Sequence, residues 1–390
     1  MNNDNLVWRF PKVNEAGKFS SRGIEIRDIT LREGEQAADV AFTPKDRINV
    51  AMALSDSGIH QIQCGYSPDD CETISELRAM GCKSKLEIMC VGYSANWREQ
   101  VRAAVESGAD IVHFIFRSDD MHIADLGLDR KSAKEKVGQI ASYIRSFGVR
   151  EISFGPSFAS QADPAFLIDF INSALTNGVN QVVLSDSTGV MNPEGFGSLV
   201  KNVKNNCECK VGVHCHNDFG LAVANTLAGL KGGAKVVESS LGGLGERAGN
   251  VPTEEIAMAL KFLYEQELGI DYKKLANAAK LVFSICHLTL PMLKPIIGPN
   301  VFSQKLDIHV MTTRTKPWLH EPFNPDIVGM RRALVLGKRS GPIAVKEKAK
   351  ELSLILPEEK VPIVVKKVND FSDRNKRALT NDEFVEIVLG

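Results

Sequence analysis

The residues with the plainest chemical potential sit in "VHCHNDFG" (213–220), where His214 and His216 stand one residue apart at the end of a short apolar run. Side chains alternate faces along a β-strand, so both imidazoles project to one side, about 7 Å apart along the backbone. Imidazole is a common ligand for divalent metals, yet histidines also pack in strands without one, and the pair alone supports either role. A carboxylate in reach would tip the balance. The stretch "RDITLREGEQ" (27–36) follows another apolar run and offers Asp28, Arg32, Glu33 and Gln36, while the glycine-rich "LGGLGERAGN" (241–250) offers Glu246 and Asn250. Two imidazoles and one carboxylate form a divalent site that keeps positions open for substrate. That requires a fold which brings these separate segments together.

From residue 23 the chain alternates short apolar runs with longer stretches of helical period. The runs predict eight strands, at 23–29, 59–65, 86–92, 111–116, 150–155, 181–186, 209–216 and 234–240. Between them lie segments such as "PKDRINVAMALSDSG", "NWREQVRAAVESGAD", "AKEKVGQIASYIRSFGV", "PAFLIDFINSALTNGV" and "GLAVANTLAGLKGGA", with apolar residues three or four apart and most with a glycine near the end. Eight such βα units predict an α/β protein with a closed (β/α)8 TIM barrel over 23–288, preceded by an N-terminal extension at 1–22. An open doubly wound sheet fits less well, because no glycine-rich dinucleotide loop follows the first strand. A proline-rich connector then leads into 289–390, expected to form small, mainly helical C-terminal subdomains. Thr380 with Glu383 marks a capping box before a last short helix. In such barrels the active site lies at the C-terminal ends of the strands, where strands seven, eight and one are neighbours. His214, His216 and the 27–36 segment therefore converge.

Composition narrows the class. The 390 residues are 44% hydrophobic and 24% charged with a formal net charge of -1, which disfavours nucleic acid or an anionic membrane as partner and favours small molecules. No apolar run is long enough to span a membrane and no secretory signal is evident, so a cytoplasmic location is expected. The eight cysteines include no CxxC pair and read as reduced packing residues.

Taken together, "RDITLREGEQ", "VHCHNDFGLAVANTLAGLKGGA" and "GLGERAGNVPTEE", followed by "NVFSQKLDIHV", "HEPFNPDIVGM" and "LGKRSG", strongly resemble the metal-dependent acyl-CoA condensing enzymes of the isopropylmalate and homocitrate synthase family. These belong to a wider barrel superfamily that includes HMG-CoA lyase. The resemblance spans almost the whole chain. It implies an acyltransferase that joins acetyl-CoA, as cosubstrate, to a 2-oxo acid by Claisen condensation and then hydrolyses the thioester to give a 2-substituted malate. It also implies a divalent metal (Mg2+, Mn2+ or Zn2+) on Glu33, His214 and His216 with Asn250 a fourth ligand or near neighbour. Arg32 would stabilise charge on the ketone oxygen, Gln36 would hold the acyl end, and His309 would act in acid–base chemistry. In the family the C-terminal subdomain commonly reaches a partner's barrel, which implies a homodimer. The same barrel hosts carbon–carbon lyases and biotin-dependent carboxyl transfer, the latter normally with a lysine ligand that has no evident candidate here. A barrel that has lost its activity and serves as a binding partner is a further alternative.

Departures from the family cluster on the substrate side. Gln63 stands where the second strand usually ends in glutamate, and Gly92-Tyr93 where the third often delivers arginine. Ser157, Phe158 and Gln161 replace an acidic pair and an arginine on the fifth. Ser187 keeps a hydroxyl after Asp186, His320 replaces a tyrosine, and Arg339 replaces the histidine of "GKHSG". Gln63, Tyr93, Ser157, Ser187, His320 and Arg117, which ends the fourth strand, are thus the candidate substrate-binding positions. Arg117 suits a second anionic group or a solvated loop charge equally; Phe158 and Tyr93 suit an apolar pocket. The sequence leaves both open. Asp28 divides between the site and a supporting role, Glu246 with Arg247 reads as a loop ion pair, and His60, His113 and His287 read as packing residues. Gly242, Gly243 and Gly245 suggest a turn with positive φ.

Overall fold

The computed structural model describes residues 23–390, so the N-terminal extension at 1–22 lies outside the described residues. Two compact units divide the described chain at Thr289 and Leu290.

The first is a closed barrel of eight parallel strands in sequence order: β1 (Glu25–Asp28), β2 (Gln61–Tyr66), β3 (Lys85–Val91), β4 (Ile111–Arg117), β5 (Glu151–Ser157), β6 (Gln181–Asp186), β7 (Lys210–Cys215) and β8 (Val236–Ser239). Every strand that the apolar runs predict is present, with ends moved by no more than two residues. The strands are buried on both faces, as parallel strands covered by helices must be, and their apolar residues alternate in several strands with buried polar ones such as Arg27, Gln63 and Glu87. β8 pairs with both β7 and β1, through His214 opposite Glu238 and Arg27 opposite Glu238, so strands seven, eight and one are contiguous.

The helical segments form the surrounding layer, including Pro44–Asp56, Trp97–Glu106, Arg130–Ser146, Pro164–Leu175 and Ala222–Lys231. Their starts are chemically fixed: Thr43 and Asp46 cap the first of these reciprocally, and Asp129 with Ser132 does the same for the third. Where β1 ends, the chain curls instead of continuing. The N–H groups of Arg32, Glu33 and Gly34 all donate to the carbonyl of Ile29, at 3.1, 2.8 and 3.3 Å. That turn carries Glu33 inward.

The second unit is mainly helical. Helices Asp307–Thr315, Pro342–Glu351, Val361–Asn375 and Asn381–Leu389 surround a core that includes Val310, Leu336, Val345, Val368 and Phe384, beside a two-stranded sheet of Ser303–Gln304 and Ala333–Leu334. The capping box expected at Thr380 and Glu383 forms in both directions. Asp307 anchors the "LGKRSG" segment, accepting from the N–H groups of Gly341, Ile343 and Ala344 at 2.9–3.1 Å. Arg339, in that segment, holds a left-handed backbone at φ 71°.

Candidate active site

Glu33, His214 and His216 come together at the C-terminal end of the barrel, each at least nine-tenths buried. His214 and His216 face each other through their Nε2 atoms at 3.1 Å, and His216 Nε2 lies 3.6 Å from Glu33 Oε1. His216 sits one residue past β7, held by a backbone bridge to Asn250. Atoms spaced this way match the ligands of one ion bound at about 2.0–2.2 Å. Two further observations fit a metal. Glu33 Oε1 and both polar side-chain atoms of Asn250 are buried without a hydrogen-bond partner, a costly arrangement for a protein with nothing else to place there. And His214 Nδ1 lies 2.9 Å from Glu238 Oε2, which leaves Nε2 free to ligate.

Electrostatics point the same way. Burial pushes the Glu33 carboxyl up, but Arg32 and the two histidines outweigh it and hold its pKa below the usual range. Burial, then the neighbouring His214, push His216 down to about 3, so its imidazole is neutral and able to coordinate. Burial also opposes the Arg32 cation, yet Glu33 and the neighbours beyond it keep its pKa above normal. Arg32 Nη1 binds Glu33 and its Nε binds Gln63.

Below this lies a second buried group, Glu87, His113 and Glu238, whose atoms are also close enough for a metal. Arg27 already fills it, with Nη1 at 2.9 Å from Glu87 Oε2 and 3.0 Å from Glu238 Oε1. Glu87 and Glu238 are pushed apart in acidity. Burial raises Glu87 to about 7, whereas His214 and Arg27 overcome burial and draw Glu238 below the carboxylate range. Glu238 thus connects a buried arginine to a histidine of the candidate metal group, and it is the residue the sequence reading missed. Its signal was parity: it stands opposite His214 and shares its inward face. Glu238→Gln should weaken Mn2+ binding about 10–100-fold in a calorimetric titration, with the circular dichroism of the fold retained. Unchanged affinity would mean that Glu238 does not orient His214.

The remaining candidates separate by location. A cavity of about 340 Å³ is lined by Arg32, Glu33, His214 and His216 and also by Gln36, Tyr93, Ser157 and Ser187. Exposed Gln36 donates to the Tyr66 hydroxyl. His113, in a segment that suggests packing alone, lines the cavity too and bonds Ser153 Oγ at 2.8 Å. Gln63 is fully buried beneath it, accepting from Arg32 and donating to Glu87. Arg117 does not line the cavity; it pairs with Asp125 and lies over the Tyr93 ring at 5.0 Å. His309 and His320 belong to the C-terminal unit, where their ring centroids are 4.6 Å apart. Glu246 and Arg247 form the expected ion pair, at 3.0 Å. Gly242 and Gly243 take positive φ, but Gly245 does not: a Cβ there would lie 2.4 Å from Asn250 Nδ2, so close approach to Asn250 is what excludes a side chain.

Asp28 proves to be a support. It is fully buried, does not line the cavity, and accepts from Thr30 N at 2.9 Å and Thr253 Oγ1 at 2.8 Å. Burial raises its pKa to about 6 from 3.8. A carboxyl raised on folding binds its proton more tightly in the native state, so its contribution falls as pH rises from about 4 to 6 and stays lost above. Asp28→Asn should remove a pH-dependent term of roughly 2–3 kcal/mol over that window, seen as a flatter Tm-versus-pH curve than that of the parent. Parallel curves would refute the assignment.

A family model described as HMGL-like matches residues 23–282, and one described as homocitrate synthase post-HMGL domain-like matches 296–376. The chain belongs to the HMGL-like family. Its relatives include 2-isopropylmalate synthase 2 of Caldanaerobacter subterraneus subsp. tengcongensis, 34% identical over 93% of this chain and 94% of the relative. Homocitrate synthase AksA of Methanothermobacter thermautotrophicus is 32% identical over 95% of this chain and 94% of its own. Among solved structures, the HMG-CoA lyase of Bacillus subtilis superposes with a TM-score of 0.61 at 19% identity, covering 70% of this chain and 96% of that one, a likeness of fold. The chain thus belongs with the isopropylmalate and homocitrate synthase family, whose members are acyl-transferring enzymes. No helix among the described residues is long and apolar enough to cross a membrane.

Proposed function

We propose that this chain condenses acetyl-CoA with a 2-oxo acid at a divalent metal held by Glu33, His214 and His216, with Asn250 beside it. The observation that carries the reading is the buried triad itself, aimed with Arg32 into one cavity. A divalent cation bound there supplies Lewis acidity to a ketone oxygen. The chain's own residues do the rest. A base removes a proton from the methyl group of acetyl-CoA, and the resulting carbanion forms a carbon–carbon bond to the ketone carbon. The ketone oxygen becomes an alkoxide and takes up a proton; water then cleaves the thioester, releasing CoA thiol and a carboxylic acid. Arg32 is held by Glu33 and Gln63 so that its remaining donors stay available for the developing oxyanion, without reorganisation during the reaction. Gln36 and Tyr66 stand at the rim for the acyl end. His309 is the acid–base residue by family resemblance, and the homodimer rests on the same ground.

Condensation is favoured over lyase chemistry because the post-HMGL match covers 296–376 and the synthases align over more than nine-tenths of the chain, whereas the lyase fold matches 70%. The test is CoA thiol release from acetyl-CoA with Mg2+, Mn2+ or Zn2+ across a panel of 2-oxo acids. Release that requires both metal and oxo acid supports the reading. Cleavage of a 3-hydroxyacyl thioester with no release in the panel would replace it with a lyase.

A further inference from the structure

We infer that the cavity selects a 2-oxo acid whose side chain is uncharged and bulky, alkyl or aryl, and that Phe158 sets this preference; the inference rests on the condensation reading above. Charge comes first. Among the described residues that line the cavity the guanidiniums are Arg32 and Arg247, the first committed to Glu33, Gln63 and, in the reading above, the ketone oxygen, the second to neighbouring acceptors. Arg32 holds Glu33 and Gln63. Arg247 meets Asp218 at 2.9 and 3.1 Å, the Ser187 carbonyl at 2.7 Å and Glu246 at 3.0 Å. Arg117 is turned to Asp125 outside the cavity. A second carboxylate on the substrate would be desolvated here without a cation of its own, which is strongly unfavourable.

One part of the wall suits an apolar group, alongside a polar part that includes Ser157, Ser185, Ser187 and Thr188. Met89, Val91, Tyr93, Ile115, Phe158 and Val183 all face the cavity. Phe158 is fixed there at the cost of an uncommon backbone: φ 62° and ψ 30° lie in the left-handed region, which a bulky residue rarely occupies. Its N–H donates to Ser187 Oγ at 2.9 Å. Its ring lies on the His122 ring with centroids 3.7 Å apart and planes 14° from parallel, and Asp119 holds His122 at 2.6 Å. Backbone strain kept by a three-layer support at a cavity wall is the mark of a placed contact surface. It stands where the family resemblance leads one to expect an acidic pair.

The experiment uses the full chain with Mn2+, measuring thiol release and, separately, calorimetric binding of each oxo acid without acetyl-CoA. The parent protein should favour 2-oxoisocaproate or phenylpyruvate over pyruvate, 2-oxoglutarate and oxaloacetate by about tenfold or more in kcat/KM, in line with the worth of added methylenes in an apolar pocket. Phe158→Ala should lower the ratio of kcat/KM for the apolar acid to that for pyruvate by about tenfold. His122→Ala, which removes the ring behind Phe158, should shift the same ratio in the same direction. A preference for a dicarboxylic acid, or equal losses on all acids in both variants, overturns the inference. If no acid yields thiol, binding decides it alone: selective binding of apolar acids upholds it while the condensation reading falls, and unselective or absent binding overturns it.

Discussion

Glu33→Gln should abolish metal-dependent turnover, lowering kcat/KM on the order of a thousandfold or more, while leaving the barrel folded. The change keeps volume but turns one acceptor oxygen into an NH2 donor, and it removes the one carboxylate among the described residues that faces both His216 and Arg32. An amide oxygen is a poor substitute for a carboxylate on a divalent ion, so Mn2+ affinity measured by calorimetry should fall with activity. The substitution also separates the two buried ligand groups. If Mn2+ still binds as in the parent, the ion sits elsewhere, and Glu87, His113 and Glu238 become the alternative. Arg27 argues against that alternative, because a guanidinium between two carboxylates occupies the place a cation would take. Retained thiol release within about threefold of the parent would remove Glu33 from the mechanism altogether, since loss of a single transition-state donor costs far more.

The barrel was legible because its strands are buried on both faces and rich in apolar residues, so that short runs separated by amphipathic stretches give eight strands directly. The nearness of the two histidines to the turn after β1 was legible for a related reason, and the choice of Glu33 in that turn came from the family resemblance. Two-residue alternation puts His214 and His216 on one face, and barrel closure puts the turn after β1 close by. The polar layer inside was not. Arg27, Glu87 and Glu238 interrupt apolar runs, and a charged residue in such a run normally reads as solvent-facing; only the three-dimensional ring shows that they neutralise one another. Nor could the roles of Arg117 and Phe158 be divided, because both end adjacent strands and nothing in their spacing tells which side chain turns inward. Asp125, eight residues along at the end of the helix Asp120–Asp125, draws Arg117 away, and Phe158 lines the cavity in its place.

Arg27→Met should be the most damaging change to stability, about 3–5 kcal/mol, because it strips the counter-ion from carboxylates that cannot reach water. Arg27, Glu87 and Glu238 are all essentially inaccessible. Arg27 also donates from Nε to Gln61 at 2.9 Å, so this β1 side chain is held by partners from β2, β3 and β8. With the guanidinium gone, Glu87, already raised to about 7, should take up a proton outright, and Glu238 should lose part of the charge that holds His214. Stability and metal affinity should therefore fall together, which a simple packing defect would not produce. Urea unfolding at pH 7 measures the first and Mn2+ titration the second. Combining Arg27→Met with Glu87→Gln, which removes one of the orphaned charges, should recover part of the loss, giving a coupling energy of about 1–3 kcal/mol between the two positions. Strict additivity would show that the two side chains do not act as a pair, and that the barrel interior stabilises Glu238 by other means.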